Sequence, residues 1–108
     1  MLSNLKNIQD VFDKMAKEGF DTGTNLKWGF FFFDDDKENL LKVYEQLKDH
    51  KYKLETLELA DTNDWKLHIS KIDKLTAGQL HNRNIAFNEL AIYCNVELYD
   101  GWDVEKIN

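Results

Sequence analysis

Six consecutive positions, Trp28-Gly29-Phe30-Phe31-Phe32-Phe33, hold five of the fourteen aromatic rings in a chain of 108 residues. Aromatic enrichment and near-continuous apolarity mark this run as a strand with both faces at least partly covered, which suits a central place in a sheet. Side chains alternate across a strand, so Trp28, Phe30 and Phe32 share one face while Phe31 and Phe33 share the other. One layer of helices covers only one of these sets. The other must be covered by a further helix, by a second subunit or by a partner.

The rest of the chain supplies the elements around that strand. Ser3 is placed to cap a helix whose apolar residues Leu5, Ile8, Phe12 and Met15 recur every three or four positions, with Gly19 as a left-handed stop. Asp21 to Asn25 reads as a loop. Asp34-Asp35-Asp36 ends the aromatic strand, and Asp35 as N-cap with Glu38 three residues on forms a capping box. The helix it opens carries the stripe Leu40, Leu41, Tyr44 and Leu47 and runs to about His50. Lys53 to Leu59 is a second strand, Thr62-Asn63-Asp64 a turn, and Trp65 to Ile72 a third strand. In that third strand Trp65, Leu67 and Ile69 point one way, and Lys66, His68 and Ser70 the other. Thr76 with Gln79 forms a further capping box and opens a helix with the stripe Leu80, Phe87, Leu90, Ala91 and Cys94, closed by Asn95. Val96 to Tyr99 is a short last strand, after which Asp100-Gly101 turns the chain. A leading helix (about 3–19) therefore precedes a β-α-β-β-α-β core (about 26–105). That order specifies an α+β, ferredoxin-like sandwich, one four-stranded antiparallel sheet with two helices on one face. With no repeat or linker, residues 1–108 read as one domain.

Composition narrows the function. Twenty acidic residues outweigh fourteen Lys plus Arg, a formal charge of −6, and residues 76–108 carry half of it. That makes a poor partner for RNA or anionic lipid, which must be met by clustered cations. The third strand, W-K-L-H-I-S-K, also lacks the basic-Gly-aromatic motif with which such sheets stack bases. No apolar run approaches the length of a membrane span, and Met1 to Phe20 is not a secretory signal. The one cysteine, Cys94, reads as a core thiol in a reducing, cytoplasmic setting. His50, His68, His81 and Cys94 show no metal-ligand spacing, so neither a metal nor a cofactor is expected. Asp34-Asp35-Asp36 reads as helix capping, since Asn39 stands where a calcium loop needs glycine. Phosphate-binding loops and nucleophile elbows are absent, so catalysis has no positive support.

The ending L-T-A-G-Q-L-H-N-R-N-I-A-F-N-E-L-A-I-Y-C-N-V-E-L-Y-D-G-W-D-V-E resembles the regulator of ribonuclease E activity B family (RraB-like domains). Leu90-Ala91 and Tyr99-Asp100-Gly101-Trp102 carry the resemblance, with Asp103 and Val104 continuing it, and the aromatic strand and the Trp65 strand fit the same pattern. The resemblance implies a ferredoxin-like domain without catalytic activity that binds a ribonuclease or its scaffold and modulates RNA decay. The residues themselves leave two readings of the ending. Tyr99 and Trp102 form a corner whose Trp102 plugs the sheet edge, or they are surface anchors rimmed by Asp100, Asp103 and Glu105. The second reading makes these five a protein-binding site for a basic protein surface, reached by electrostatic steering. An immunity protein against a toxin nuclease is the competing function, and a small enzyme with an unrecognised carboxylate site comes third. A homodimer through the helix-free sheet face is a further expectation.

Overall fold

The computed structural model describes residues 1–60 and 63–107. Helix α1 (Leu5–Lys17) leads to strand β1 (Leu26–Asp34), then helix α2 (Lys37–Leu47) with a 3-10 turn over Lys48–His50. Strands β2 (Lys53–Leu59) and β3 (Trp65–Asp73), helix α3 (Ala77–Tyr93) and strand β4 (Leu98–Glu105) follow. Of the expected turn between β2 and β3, Thr62 lies outside the described residues. Asn63 has a left-handed φ of 66°, and its amide bonds the Ala60 carbonyl, as a turn requires.

The sheet order is β2-β3-β1-β4 with every neighbouring pair antiparallel, the arrangement of the ferredoxin-like sandwich. Strand β1 is internal, as its two-sided apolarity requires. Trp28, Phe30 and Phe32 are fully buried and join Leu67, Ile69 and Tyr99 under Leu40, Val43, Leu80, Phe87 and Ala91. The Phe87 ring is the hub of this layer. It lies 4.9 Å from Phe30, 5.7 Å from Phe32, 5.7 Å from Tyr52 and 5.6 Å from Tyr99, mostly edge to face. Such pairs contribute about 0.5–1.5 kcal/mol each beyond area burial.

Helix α1 joins the same layer. Its Phe12 ring stacks 5.8 Å from Trp28 and meets Trp102 edge-on at 6.5 Å. The leading helix therefore widens the helical side and leaves the far face of the sheet open.

Three local expectations are corrected. The α1 cap is Asn4, whose side chain accepts from the Asn7 amide at 3.1 Å. Ser3 is taken by another element, with its hydroxyl 2.7 Å from His81 Nδ1 on α3. The α2 cap is Asp36, not Asp35, and accepts from the Glu38 amide at 2.9 Å. Asp34 turns inward and accepts from the Asp36 amide at 3.0 Å, which starts the helix one residue later. Finally, Asp100-Gly101 does not turn the chain, and β4 continues to Glu105. The register slips between Phe31 and Phe32, which face Gly101 and Tyr99, so Asp100 is the extra residue of a β-bulge. Gly101 supplies the φ of 114° that this geometry needs. The capping box of Thr76 and Gln79 forms as expected, and Asn95 closes α3 with φ 58° while the Val96 amide bonds back to Ala91.

Candidate functional site

The bulge decides where the five predicted binding residues point. Tyr99 and Trp102 are three apart, yet both face the helices, because Asp100 is squeezed out between them. Tyr99 is 1% exposed, and its hydroxyl donates to Asn84 Oδ1 at 2.6 Å. That burial pushes its phenol far above the ordinary tyrosine value. Trp102 is half-buried, 5.8 Å from the Trp28 ring. Asp103 and Glu105 pair with Gly29 and Lys27 and face the open side, while Asp100 protrudes at the bulge. The rings thus brace the sheet from behind, and the carboxylates belong to the other face. They do not form one patch.

The open face carries its own pattern. Along β1 it presents Lys27, Gly29, Phe31 and Phe33, and along β3 it presents Lys66, His68, Ser70 and Ile72. Phe31 and His68 stack at 4.4 Å with their planes 16° apart, so the central ring is roofed by an imidazole rather than left bare. Beside them Gly29 is required by close approach. A Cβ there would fall on the Asp103 carboxylate and lie 2.7 Å from His68 Nε2. Asp103, His68, Ser70, Lys27 and Glu105 ring a hollow of about 40 Å³ above this glycine, room for a water molecule.

Two larger clefts occupy diagonal corners. At the end of β1, Phe33, Leu98, Asp64, Glu97 and Asp100 line a cleft of about 240 Å³. Its three carboxylates take part in no ion pair among the described residues. At the start of β1, a cleft of about 320 Å³ is lined by Lys27, Lys51, Lys53, Lys71, Glu55, Ser70 and Ile72. There Lys27 bridges Glu55 at 3.0 Å and Glu105 at 3.2 Å, and Ser70 Oγ donates to Glu55 at 2.9 Å. The Lys27 hydrogen bond is the main cause that holds the Glu55 carboxyl below its ordinary value, and Glu55 in turn raises Lys27.

Asp34 is the polar group that the sequence reading treated only as part of a cap. It is 3% exposed at the end of β1. One oxygen accepts from the Asp36 amide and from Asn39 Nδ2, both at 3.0 Å, and the other from the Glu97 amide at 2.9 Å. It therefore ties β1, α2 and the approach to β4 together behind the acidic cleft. Strand parity with Phe30 and Phe32 was the available signal. Cys94 is buried, and desolvation raises its thiol pKa, as a core position implies. Among the described residues, no group of three or more His, Cys, Asp or Glu side chains is arranged to hold a metal ion. Likewise no helix is long and apolar enough to cross a membrane.

An antiparallel four-stranded sheet with all its helices on one side, and two oppositely charged clefts on the other, defines an α+β domain built to present a sheet face. The family model for regulator of ribonuclease activity B matches residues 6–104, and the chain belongs to this RraB family. No curated protein matches it.

Proposed function

We propose that this protein is a non-catalytic regulator that binds a ribonuclease through the acidic corner of its open sheet face. The family names the class of target, a ribonuclease activity. The observation that carries the docking site is the cleft of Phe33, Leu98, Asp64, Glu97 and Asp100, an apolar floor rimmed by three carboxylates without ionic partners. A nuclease recognises polyanionic RNA through cations, so its RNA-binding surface offers Lys and Arg groups that such a rim complements. Occupying that surface blocks RNA without any chemistry by the regulator. Asp103 and Glu105 extend the same negative edge along β4. Tyr99 and Trp102 act by holding β4 in place rather than by touching the partner. Binding takes place in the reducing cytoplasm that the buried, single Cys94 suits.

The test is a cleavage assay of the ribonuclease of the same cell on single-stranded RNA, with binding followed by calorimetry. The wild-type protein binds and lowers the cleavage rate, and both effects weaken as salt rises. The double variant Glu97→Lys, Asp100→Lys weakens binding at least tenfold while its thermal melt stays near wild type. Equal inhibition by that variant, or no binding by the wild type at tens of micromolar, refutes the proposal.

A further inference from the structure

Diagonally across the open face from the acidic cleft, four ammonium groups, those of Lys27, Lys51, Lys53 and Lys71, surround a cleft that holds a single carboxylate, Glu55. This is an unusual concentration in a chain with a formal charge of −6. We infer that this cleft receives a carboxylate group of the same protein partner, so that the open face reads one positive and one negative group at a set separation and in one orientation. The partner's being a ribonuclease rests on the function proposed above; the cleft's taste for a carboxylate does not.

Glu55 shows the chemistry already at work. Its carboxylate is held by Lys27 at 3.0 Å, by the Ser70 hydroxyl at 2.9 Å and, at the limit of an ion pair, by Lys53 at 3.9 Å. Lys27 is further engaged by Glu105, and Lys71 lies 4.0 Å from Asp73 and 5.1 Å from the Tyr52 ring. That leaves Lys51, with no ion pair among the described residues, and Lys53, whose side chain is 75% exposed, as the cations available to a guest. Ile72, 59% exposed, gives the guest's apolar stem a wall. Lys27 and Phe33 mark the two corners on the same strand, and six residues at about 3.3 Å each separate them by about 20 Å.

The surroundings select a single anionic group over a nucleic acid. Glu105, Asp103 and, farther along, Asp100 follow on the same face, so successive phosphates leaving the lysine cleft would meet carboxylates. One carboxylate on a protein surface meets no such penalty.

The inference is tested first without the ribonuclease. The protein is titrated with sodium acetate at constant ionic strength while the backbone amides are followed by NMR. Saturable shifts confined to Lys51, Lys53, Ser70 and Ile72, and abolished in Lys51→Glu, Lys53→Glu, are expected. Shifts that spread over the surface without saturating, or that persist in the variant, overturn the inference. The second arm measures that variant's affinity for the ribonuclease, which is expected to fall about tenfold. A partner offering only positive charge would bind the two added carboxylates more tightly. Unchanged or tightened binding therefore overturns the inference and leaves the acidic docking site standing, whereas insensitivity to Glu97→Lys, Asp100→Lys removes the docking site and not the lysine cleft. A fluorescent single-stranded RNA that binds in a Lys51- and Lys53-dependent way overturns the choice of a carboxylate guest.

Discussion

Replacing Asp34 by Asn removes one charge and almost no volume, which isolates what the buried carboxylate does. Its two oxygens face three donors from two directions, the Asp36 amide and Asn39 Nδ2 on one side and the Glu97 amide on the other. An amide has one acceptor oxygen. If that oxygen serves the pair at the start of α2, the NH2 group confronts the Glu97 N–H; flipped, it confronts two donors. The cheaper arrangement still loses one charge-assisted bond and turns two others into neutral ones. Bonds to charged groups contribute about 1.5–3 kcal/mol and neutral ones about 0.5–1.5. Partial hydration of Glu97 and Asn39 recovers some of the difference, and the expected loss is about 2–3 kcal/mol. For a chain of this size the unfolding entropy near the midpoint is about 0.23 kcal/mol per degree, so the Tm falls by about 10 °C. Urea unfolding followed by circular dichroism measures the loss, and amide exchange at Glu97 locates it. Asp35→Asn is the control, because Asp35 is exposed and caps nothing, and it should stay within about 0.5 kcal/mol of wild type. Equal stabilities of the two variants, or unchanged protection at Glu97, would refute the account of Asp34 as a tie between β1, α2 and β4.

Gly29→Ala forces Asp103 and His68 aside and should cost about 1–3 kcal/mol in a denaturant melt; adding Asp103→Ala should recover part of that loss, and full additivity of the two changes would contradict the proposed clash. Burial raises the phenol of Tyr99 above its unfolded value of about 10, so the folded state keeps a proton that the unfolded chain releases. Stability should therefore decline as pH climbs past that value, and Tyr99→Phe, less stable by about 1–2 kcal/mol at neutral pH, should lose the decline. At the acidic end the sign reverses. The Lys27 hydrogen bond lowers the Glu55 pKa, so its stabilising contribution is complete at neutral pH and disappears as pH drops through the carboxylate range; Glu55→Gln should flatten that part of the pH–stability curve.

The β-α-β-β-α-β order and the strand parities were legible because they rest on long periodic signals. Trp28, Phe30 and Phe32 face the helices, and the Thr76–Gln79 box and the Asn95 cap are where local chemistry puts them. Choices between equivalent neighbours were not legible. Ser3 and Asn4 cap equally well, and the distant His81 decides by claiming Ser3; Asp35 and Asp36 were separated by Asp34 turning inward. Asn84 sits on the apolar stripe of α3, four residues from Leu80 and three from Phe87, and its burial becomes intelligible only once Tyr99 donates to it. The candidate site suffered most from one misread dipeptide. With Asp100-Gly101 taken as a turn, Tyr99, Trp102 and the acids looked like one rim, whereas a continued strand sends them to opposite sides. Both charged clefts draw residues from three strands or their approaches, a gathering that no local window contains.

The extra residue in β4 also makes the strand intolerant of a change in length. Deleting Asp100 would restore even pleating and invert everything beyond it. Trp102 and Val104 would then swing to the water side, and Asp103 and Glu105 would be driven under Phe12 and Trp28. A one-codon loss at this spot would thus be far more damaging than almost any replacement of the same aspartate, and natural length variation should cluster in the loops instead.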